Sequence, residues 1–260
     1  MSTYSDKQII LITGATNGIG LDTALLLSSD YPNNHIIVGA RNPTKAEKTV
    51  RDLQAKNPKG SITWLELDVD SDDSIAAATK KLEQDFGRID VLINNAGICP
   101  ERADEPQTTR DKLRATFETN VNGPTLLTQA LTPLLKSNAK VINVTSGLGA
   151  IATFDATLPA DSVLHNFKDI KGIGYRMSKS ALNMLSAYQQ YQLKDQGVKV
   201  WAYCPGYVAT DLTDDREALE KNPYVESSMT SAEGILDIVL GKRDGEAGGF
   251  VTKRGASYPW

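Results

Sequence analysis

Short apolar segments alternate with longer segments of helical periodicity along the chain, and this alternation limits the fold more than any other feature. Strands are predicted at residues 8–13, 35–40, 61–67, 89–95, 139–145, 198–203 and 248–252. Helices are predicted at residues 18–29, 43–56, 71–86, 108–135, 174–196 and 232–240, with a bend near Pro124 in the longest of them. Because strands that are apolar throughout are typical of a sheet covered on both faces, the sequence predicts a parallel sheet between two layers of helices.

The pattern runs along the whole chain of 260 residues with no linker, internal repeat or low-complexity tract. We therefore expect an α/β fold in which residues 1–260 form a single Rossmann-type domain. Its core is a doubly wound parallel sheet of about seven strands with helices on both faces. Ligands of such sheets bind beyond the carboxyl ends of the strands, so functional residues are expected directly after each strand.

Composition excludes several classes of function. The net charge is -4, which argues against a general nucleic-acid-binding protein, because such proteins need a basic face. The cysteines, Cys99 and Cys204, and the histidines, His35 and His165, are too far apart for a zinc site. We expect both cysteines to be buried, reduced thiols. No signal peptide or membrane span is apparent, and a cytoplasmic protein without a membrane partner or a metal is predicted.

A glycine-rich segment, TGATNGIG at residues 13–20, lies between the first strand and the first helix. Gly14 permits a tight turn, and Gly18 and Gly20 leave room for a diphosphate at the positive end of the helix. Its spacing is GxxxGxG rather than the common GxGxxG, so alone it is compatible with a structural turn as well as a nucleotide site. The candidate cofactor contacts in this segment are Gly14, Thr16, Asn17, Gly18, Ile19 and Gly20.

The end of the second strand indicates which dinucleotide is bound. Arg41 stands where an acidic residue would select NAD, and Lys45 follows one helical turn later. An arginine here suits the 2′-phosphate of NADP(H), although a surface arginine without a ligand is the alternative. Asp68 and Val69 follow the third strand, and Asp68 is compatible equally with a contact to adenine and with a helix cap.

Six motifs in this order carry a family resemblance. They are TGATNGIG, NNAG, FETNVNG, INVTSG, YRMSK and PGYVATDL. Across essentially its full length the chain resembles the short-chain dehydrogenase/reductase family, and within it the NADPH-dependent carbonyl reductases, which share the basic pair Arg41 and Lys45. That subgroup has a basic residue where this chain has Asn17, so one phosphate contact differs.

The resemblance implies four catalytic residues. Tyr175 would be the general acid. Lys179, one helical turn away, would stabilise the phenolate, whose pKa is otherwise about 10, and hold the nicotinamide ribose. Ser146 would bind the substrate carbonyl. Asn120, through its carbonyl or its amide, would hold a water that links Lys179 to solvent.

The resemblance also implies contacts along the rest of the cofactor. Asn95, Ala96 and Gly97 would lie beside it. Pro205 and Gly206 would form a wall against the nicotinamide ring. Val208 and Thr210 would fix its carboxamide and so decide which face delivers hydride.

Two variable segments determine the expected substrate. Ser146 and Tyr175 are further apart than in most of the family, which indicates an insertion near residues 148–173, and a lid is predicted near residues 211–229. His165 lies in the insertion, as a substrate contact or as an exposed loop residue. Candidate pocket walls are Leu148, Phe154, Tyr207, Leu212 and Tyr224. This apolar lining without an anion anchor favours a ketone or aldehyde of some bulk.

We therefore expect a carbonyl reductase that transfers hydride from NADPH to a small-molecule ketone or aldehyde. A secondary-alcohol dehydrogenase working in the oxidative direction is one alternative, and a non-catalytic NADP(H)-binding sensor is another. The insertion disfavours the usual tetramer, so a monomer or dimer is predicted. No role is assigned to Tyr258 and Trp260 beyond packing.

Overall fold

Seven parallel strands form one sheet in the part of the chain that the computed structural model describes, namely residues 4–100, 108–159, 161–210, 212 and 225–260. The strands are β1 (Gln8–Thr13), β2 (Asn34–Ala40), β3 (Ser61–Glu66), β4 (Ile89–Asn94), β5 (Leu135–Val144), β6 (Lys199–Cys204) and β7 (Phe250–Thr252). Their order is β3-β2-β1-β4-β5-β6-β7. The order reverses between β1 and β4, and a ligand crevice is expected at this point.

The helices are α1 (Gly18–Ser29), α2 (Pro43–Gln54), α3 (Asp72–Asp85), α4 (Thr109–Phe117), α5 (Gly123–Leu131), α6 (Ile173–Leu193) and α7 (Ser228–Val239). They cover both faces of the sheet. Ile9 and Leu11 of β1 pack in the layer that contains α3 and α5, whereas Ile10 and Ile12 pack in the layer of α1, α2 and α7. The predicted Rossmann-type sheet is therefore confirmed. No helix in the described ranges is both long and apolar enough to span a bilayer.

The predicted long helix at residues 108–135 is interrupted, but not where Pro124 was expected to bend it. A π-helical turn, Glu118–Asn122, separates α4 from α5 and ends before Pro124. Pro124 lies in the first turn of α5, directly after the π-helical turn, where the helical bonding pattern changes. Gly123 permits close packing here, since a Cβ on it would lie 2.9 Å from the Cβ of Val69.

The last elements differ from prediction at their boundaries. Helix α7 begins at Ser228 rather than at residue 232, because Ser227 caps it by accepting a bond of 3.2 Å from the N–H of Met229.

After β7 the tail turns back, and the N–H of Tyr258 donates to the carbonyl of Phe250 at 2.8 Å. The Tyr258 ring meets the Phe250 ring edge to face, so the tail packs on the sheet.

Two glycines of the segment at residues 13–20 are required for different reasons, Gly14 for its backbone angle and Gly20 for close packing. Gly14 has a φ of 62°, in the left-handed region that favours glycine. A Cβ on Gly20 would lie 2.5 Å from Nδ2 of Asn95 and 2.7 Å from the carbonyl oxygen of Gly14. The Asn95 amide itself donates to the carbonyls of Thr13 and Gly14. Gly20 therefore lets α1 pack against the strand ends.

Gly20→Ala should lower the free energy of unfolding by about 1–3 kcal/mol, the usual cost of overpacking a tight site. Urea denaturation measures this change. Gly245→Ala is the matched control, because no atom lies within 4 Å of a Cβ built there. Equal stability of the two variants would contradict the packing role of Gly20.

Candidate active site

A cleft of about 900 Å³ opens at the carboxyl ends of the strands, at the reversal between β1 and β4. Predicted cofactor residues line most of it. They are Gly14, Thr16, Asn17, Gly18, Ile19, Arg41, Lys45, Asp68, Val69, Asn95, Ala96, Gly97, Tyr175, Lys179, Pro205 and Thr210. Gly20, Gly206 and Val208 are not in the lining. Of the predicted catalytic residues, Tyr175 and Lys179 line the cleft, whereas Asn120 and Ser146 do not.

The two walls of the cleft approach each other at the start of α1. Gly18 has a φ of 51°, and a Cβ on it would lie 3.3 Å from Cγ2 of Thr210 on the opposite wall. Asn17 stands at the capping position of α1, and its side chain forms no cap bond. The amino end of α1, with its positive dipole end, therefore lies at a narrow part of the cleft, a place that suits a diphosphate.

Charged residues of both signs surround the end of the cleft beside β2 and β3. Arg41 and Lys45 are exposed at its rim. Asp68 accepts a bond of 3.2 Å from the N–H of Asp70. The cap of α3 is Ser71, whose hydroxyl accepts from the N–H of Ser74. Of the two interpretations of Asp68, the structure therefore excludes the helix cap and places the residue in the cleft.

Lys179 lies beneath the floor of the cleft beside Tyr175. Its side chain is buried, and Nζ donates to the carbonyl oxygen of Val144 at 2.9 Å. Nζ is 5.6 Å from the centre of the Tyr175 ring. Burial lowers the pKa of Lys179 to about 8. Tyr175 is itself 8% exposed and lines the cleft, so its ring and the Lys179 ammonium lie near each other there.

Asn120 lies in the π-helical turn, and its side chain is fully committed. Oδ1 accepts from the N–H of Ile98 at 2.8 Å, and Nδ2 donates to the Ile98 carbonyl at 2.9 Å. Nδ2 also donates to the hydroxyl of Ser178 at 3.0 Å. The Asn120 amide therefore links the wall of the cleft to α6.

Ser146 directly follows Thr145, which lines the cleft. Its hydroxyl accepts a bond of 3.2 Å from the N–H of Leu148 and so caps a short 3₁₀ turn. This turn packs tightly on α6, since a Cβ on Gly149 would lie 2.6 Å from the carbonyl carbon of Lys179. The segment that carries Ser146 is therefore held against the helix that carries Lys179.

The candidate substrate walls are only partly brought to the cleft. Leu212 lines it, whereas Leu148, Phe154 and Tyr207 do not. Phe154 is 64% exposed and Tyr207 is 44% exposed, because each lies on a surface turn rather than at a strand end. Tyr224 lies outside the described residues, as does most of the predicted lid.

Glu226 holds the loop after β6, a function that the sequence did not indicate. Its N–H donates to the carbonyl of Tyr207 at 2.9 Å, and its carbonyl accepts from the N–H of Ala209 at 3.3 Å. Its carboxylate accepts a bond from Lys253, which lies against Gly206. Because Glu226 stands in a segment rich in charged residues, no sequence signal separates it from the solvated residues around it.

A glycine-lined cleft at the reversal of a parallel sheet, with a tyrosine and a buried lysine inside it, defines a dinucleotide-dependent oxidoreductase. A family model of short chain dehydrogenases matches residues 8–157, and the chain belongs to the short-chain dehydrogenase/reductase family, whose members use nicotinamide cofactors.

Similar proteins are found among curated sequences and among solved structures. Short-chain dehydrogenase anuI of Penicillium roqueforti is 40% identical over 211 residues, which cover 79% of this chain and 81% of that protein. The NADPH-bound carbonyl reductase from chicken fatty liver has a TM-score of 0.77 at 28% identity, over 98% of this chain and 99% of that one. Carbonyl reductase Sniffer of D. melanogaster has a TM-score of 0.78 at 29% identity, over 98% and 100% of the two chains.

Lys179→Met should change how stability depends on pH. The pKa of Lys179 in the folded state is about 8, below the value of about 10.4 for an unfolded lysine. Between these values the unfolded chain binds one proton more than the folded chain, so lysine burial makes stability rise with pH, by up to about 1.4 kcal/mol per unit. The variant lacks this contribution.

Urea denaturation of both cofactor-free proteins, from about pH 7.5 to about pH 10, isolates the contribution of Lys179 as a difference. The stability of the unsubstituted protein relative to the variant should increase across this range. A difference that stays constant, or that decreases, would contradict the burial of a titrating lysine at this site.

Proposed function

We propose that the protein is an NADPH-dependent carbonyl reductase that reduces a ketone or aldehyde to an alcohol, with Tyr175 as the general acid. The observation that carries this proposal is the Tyr175–Lys179 pair inside a cleft suited to a dinucleotide. Its similarity to two carbonyl reductases, one of them bound to NADPH, supports the same reaction.

The cleft fits NADP(H) by its shape and by its donors. A Cβ on Gly14 would lie 2.9 Å from Cα of Ala96, and one on Gly18 would press on Thr210. These positions leave the start of α1 open to the diphosphate. Arg41 and Lys45 at the rim would hold a 2′-phosphate, Arg41 through paired charge-assisted bonds.

NADPH, when bound, supplies the hydride, and the residues of the chain manage the proton. The Tyr175 hydroxyl would donate its proton to the substrate oxygen as negative charge develops there. The Lys179 ammonium would stabilise the resulting phenolate. Ser146 would orient the carbonyl, and the main-chain carbonyl of Asn120 would hold the water that resupplies the proton.

An assay with purified protein and NADPH tests the reaction directly. A panel of aryl ketones, diketones, quinones and aldehydes is supplied, and the loss of cofactor absorbance is followed. Oxidation of NADPH that depends on at least one carbonyl compound is expected. Silence across the panel from a protein shown to bind NADPH would contradict the proposal.

Tyr175→Phe should lower kcat/KM for the best carbonyl substrate by at least about a hundredfold, the usual contribution of a general acid. The affinity for NADPH, measured by fluorescence titration, should change little. Tyr188→Phe is the matched control, because Tyr188 lies on the exposed side of the same helix. Turnover retained in Tyr175→Phe would refute the acid role.

Arg41→Asp should raise the Kd for NADPH by about ten- to a hundredfold, as expected for the loss of charged hydrogen bonds to phosphate. The Kd for NADH should change far less, so the preference moves towards NADH. Arg51→Asp makes the same charge change on an exposed part of α2 away from the cleft. An unchanged NADPH/NADH ratio would mean that another residue reads the phosphate.

Two further expectations stay predictions. A cytoplasmic location follows only from the sequence. A monomer or dimer, rather than a tetramer, was expected from the insertion. The exposed side of α6 carries Met184, Tyr188 and Tyr191, and an apolar face of this kind favours the dimer within that range.

A further inference from the structure

The insertion between Ser146 and Tyr175 begins and ends at residues of the proposed catalytic set. Its described part consists of short 3₁₀ turns, Gly147–Gly149, Ile151–Phe154 and Val163–Phe167. Short 3₁₀ turns have poorer hydrogen-bond geometry than an α-helix, so contacts from outside the segment contribute more to its position. The position of the insertion beside the catalytic residues is therefore set in part by contacts from outside it.

Arg176, the residue after Tyr175 on α6, makes three of these contacts, beside bonds from Ser180 and Asn183 to the carbonyl of Gly149. Its guanidinium donates through Nε to the carbonyl of Ile170 at 3.0 Å and through Nη1 to the carbonyl of Leu148 at 3.3 Å. Nη2 donates to the carbonyl of Phe167. One side chain thus joins the first turn of the insertion to its last turns.

The environment of Arg176 makes these bonds important for the insertion. The side chain is 6% exposed, and burial lowers the pKa of its guanidinium. The charge is balanced by carbonyl dipoles together with the Phe154 ring, whose centre is 5.2 Å from the guanidinium carbon. Removal of the guanidinium would leave three carbonyls without this donor, which is costly wherever water does not replace it.

Side-chain packing also holds the insertion in place next to Ser146. A Cβ on Gly147, the neighbour of Ser146, would lie 2.6 Å from the Phe167 ring. That ring in turn meets Tyr258 edge to face, with ring centres 6.1 Å apart. Because Arg176 holds the Phe167 carbonyl while Gly147 and Tyr258 hold its ring, the insertion has one defined position next to Ser146.

We propose that Arg176 is a positioning residue that fixes the insertion beside the gap between Ser146 and Tyr175 and so determines the size of carbonyl compound that the enzyme accepts. The inference rests on the proposed reductase function. The insertion begins next to Ser146 and ends next to Tyr175, so a displacement of it would change the space between these two residues. A bulky aryl ketone needs more of that space than a small aliphatic aldehyde, so its binding would be affected more.

The test compares Arg176→Met with the unsubstituted protein and with Arg88→Met. Arg88 is the control, since its guanidinium also donates to three backbone carbonyls, those of Tyr4, Ser5 and Lys7, in addition to its ion pair with Asp90. It lies at the amino ends of the strands, across the sheet from the cleft. Arg176→Lys keeps the charge but lacks the forked donors, and it replaces Arg176→Met if that variant does not fold.

Two readouts separate positioning from general damage. Hydrogen exchange of peptides from the insertion, measured by mass spectrometry, should increase in Arg176→Met and not in Arg88→Met. The KM for a bulky aryl ketone should rise by about tenfold, the usual effect of a poorer fit in a substrate pocket, while kcat/KM for a small aldehyde and the Kd for NADPH stay within about threefold.

Each outcome decides the proposal. Faster exchange confined to the insertion, together with a lower preference for the bulky ketone, supports it. Unchanged selectivity, an equal loss for both substrates, or the same loss in Arg88→Met overturns it. If the unsubstituted protein binds NADPH but reduces no carbonyl, the proposed function fails, and exchange in the insertion still reports whether Arg176 fixes that segment.

Discussion

The bond from the Lys179 ammonium to the Val144 carbonyl is the interaction on which the rest of the site depends. An ammonium taken out of water is costly unless oxygen atoms surround it, so β5 has to end with a carbonyl facing α6. The Thr145 hydroxyl donates to the carbonyl of Lys179 at 3.2 Å, and Gly149 admits the α6 backbone without a side chain between them. These contacts fix the turn of α6 that carries Tyr175.

Hydrogen bonds between buried polar side chains also hold α6 against the sheet further away from the cleft. The Asn143 amide on β5 donates to the hydroxyl of Ser186 and to the side chain of Gln189, both on α6. Asn94 on β4 donates in turn to Asn143 at 2.8 Å. Since buried polar groups require partners, any sliding of α6 along the sheet would break several bonds at once. The register that puts Lys179 beneath the cleft is therefore specified by more than apolar packing.

Features with a local chemical cause could be predicted from the sequence, and features set by tertiary contacts could not. The continuous apolar run at residues 8–13 predicted β1, and helical periodicity predicted α2. Gly197, whose left-handed φ of 77° favours glycine, directly follows the helical segment predicted at residues 174–196. Many residues that line the cleft could be predicted, because they belong to motifs that directly follow strands. The π-helical turn at Asn120 could not be predicted from hydrophobic periodicity. The side chain of Asn120 is held there by bonds to Ile98 and Ser178, which are distant in sequence. Glu226 holds the loop after β6 partly through main-chain bonds, which residue type does not encode.

The central claim is that a buried cation and a phenol on one turn of α6 meet the nicotinamide end of a cofactor. A crystal structure of the NADPH complex tests it most directly. The account predicts Lys179 Nζ within hydrogen-bond distance of the nicotinamide ribose, with the Tyr175 hydroxyl directed at the space beside the ring. A complex in which the cofactor is bound but the Tyr175 hydroxyl points out of the cleft, or Lys179 lies in bulk solvent, would contradict it.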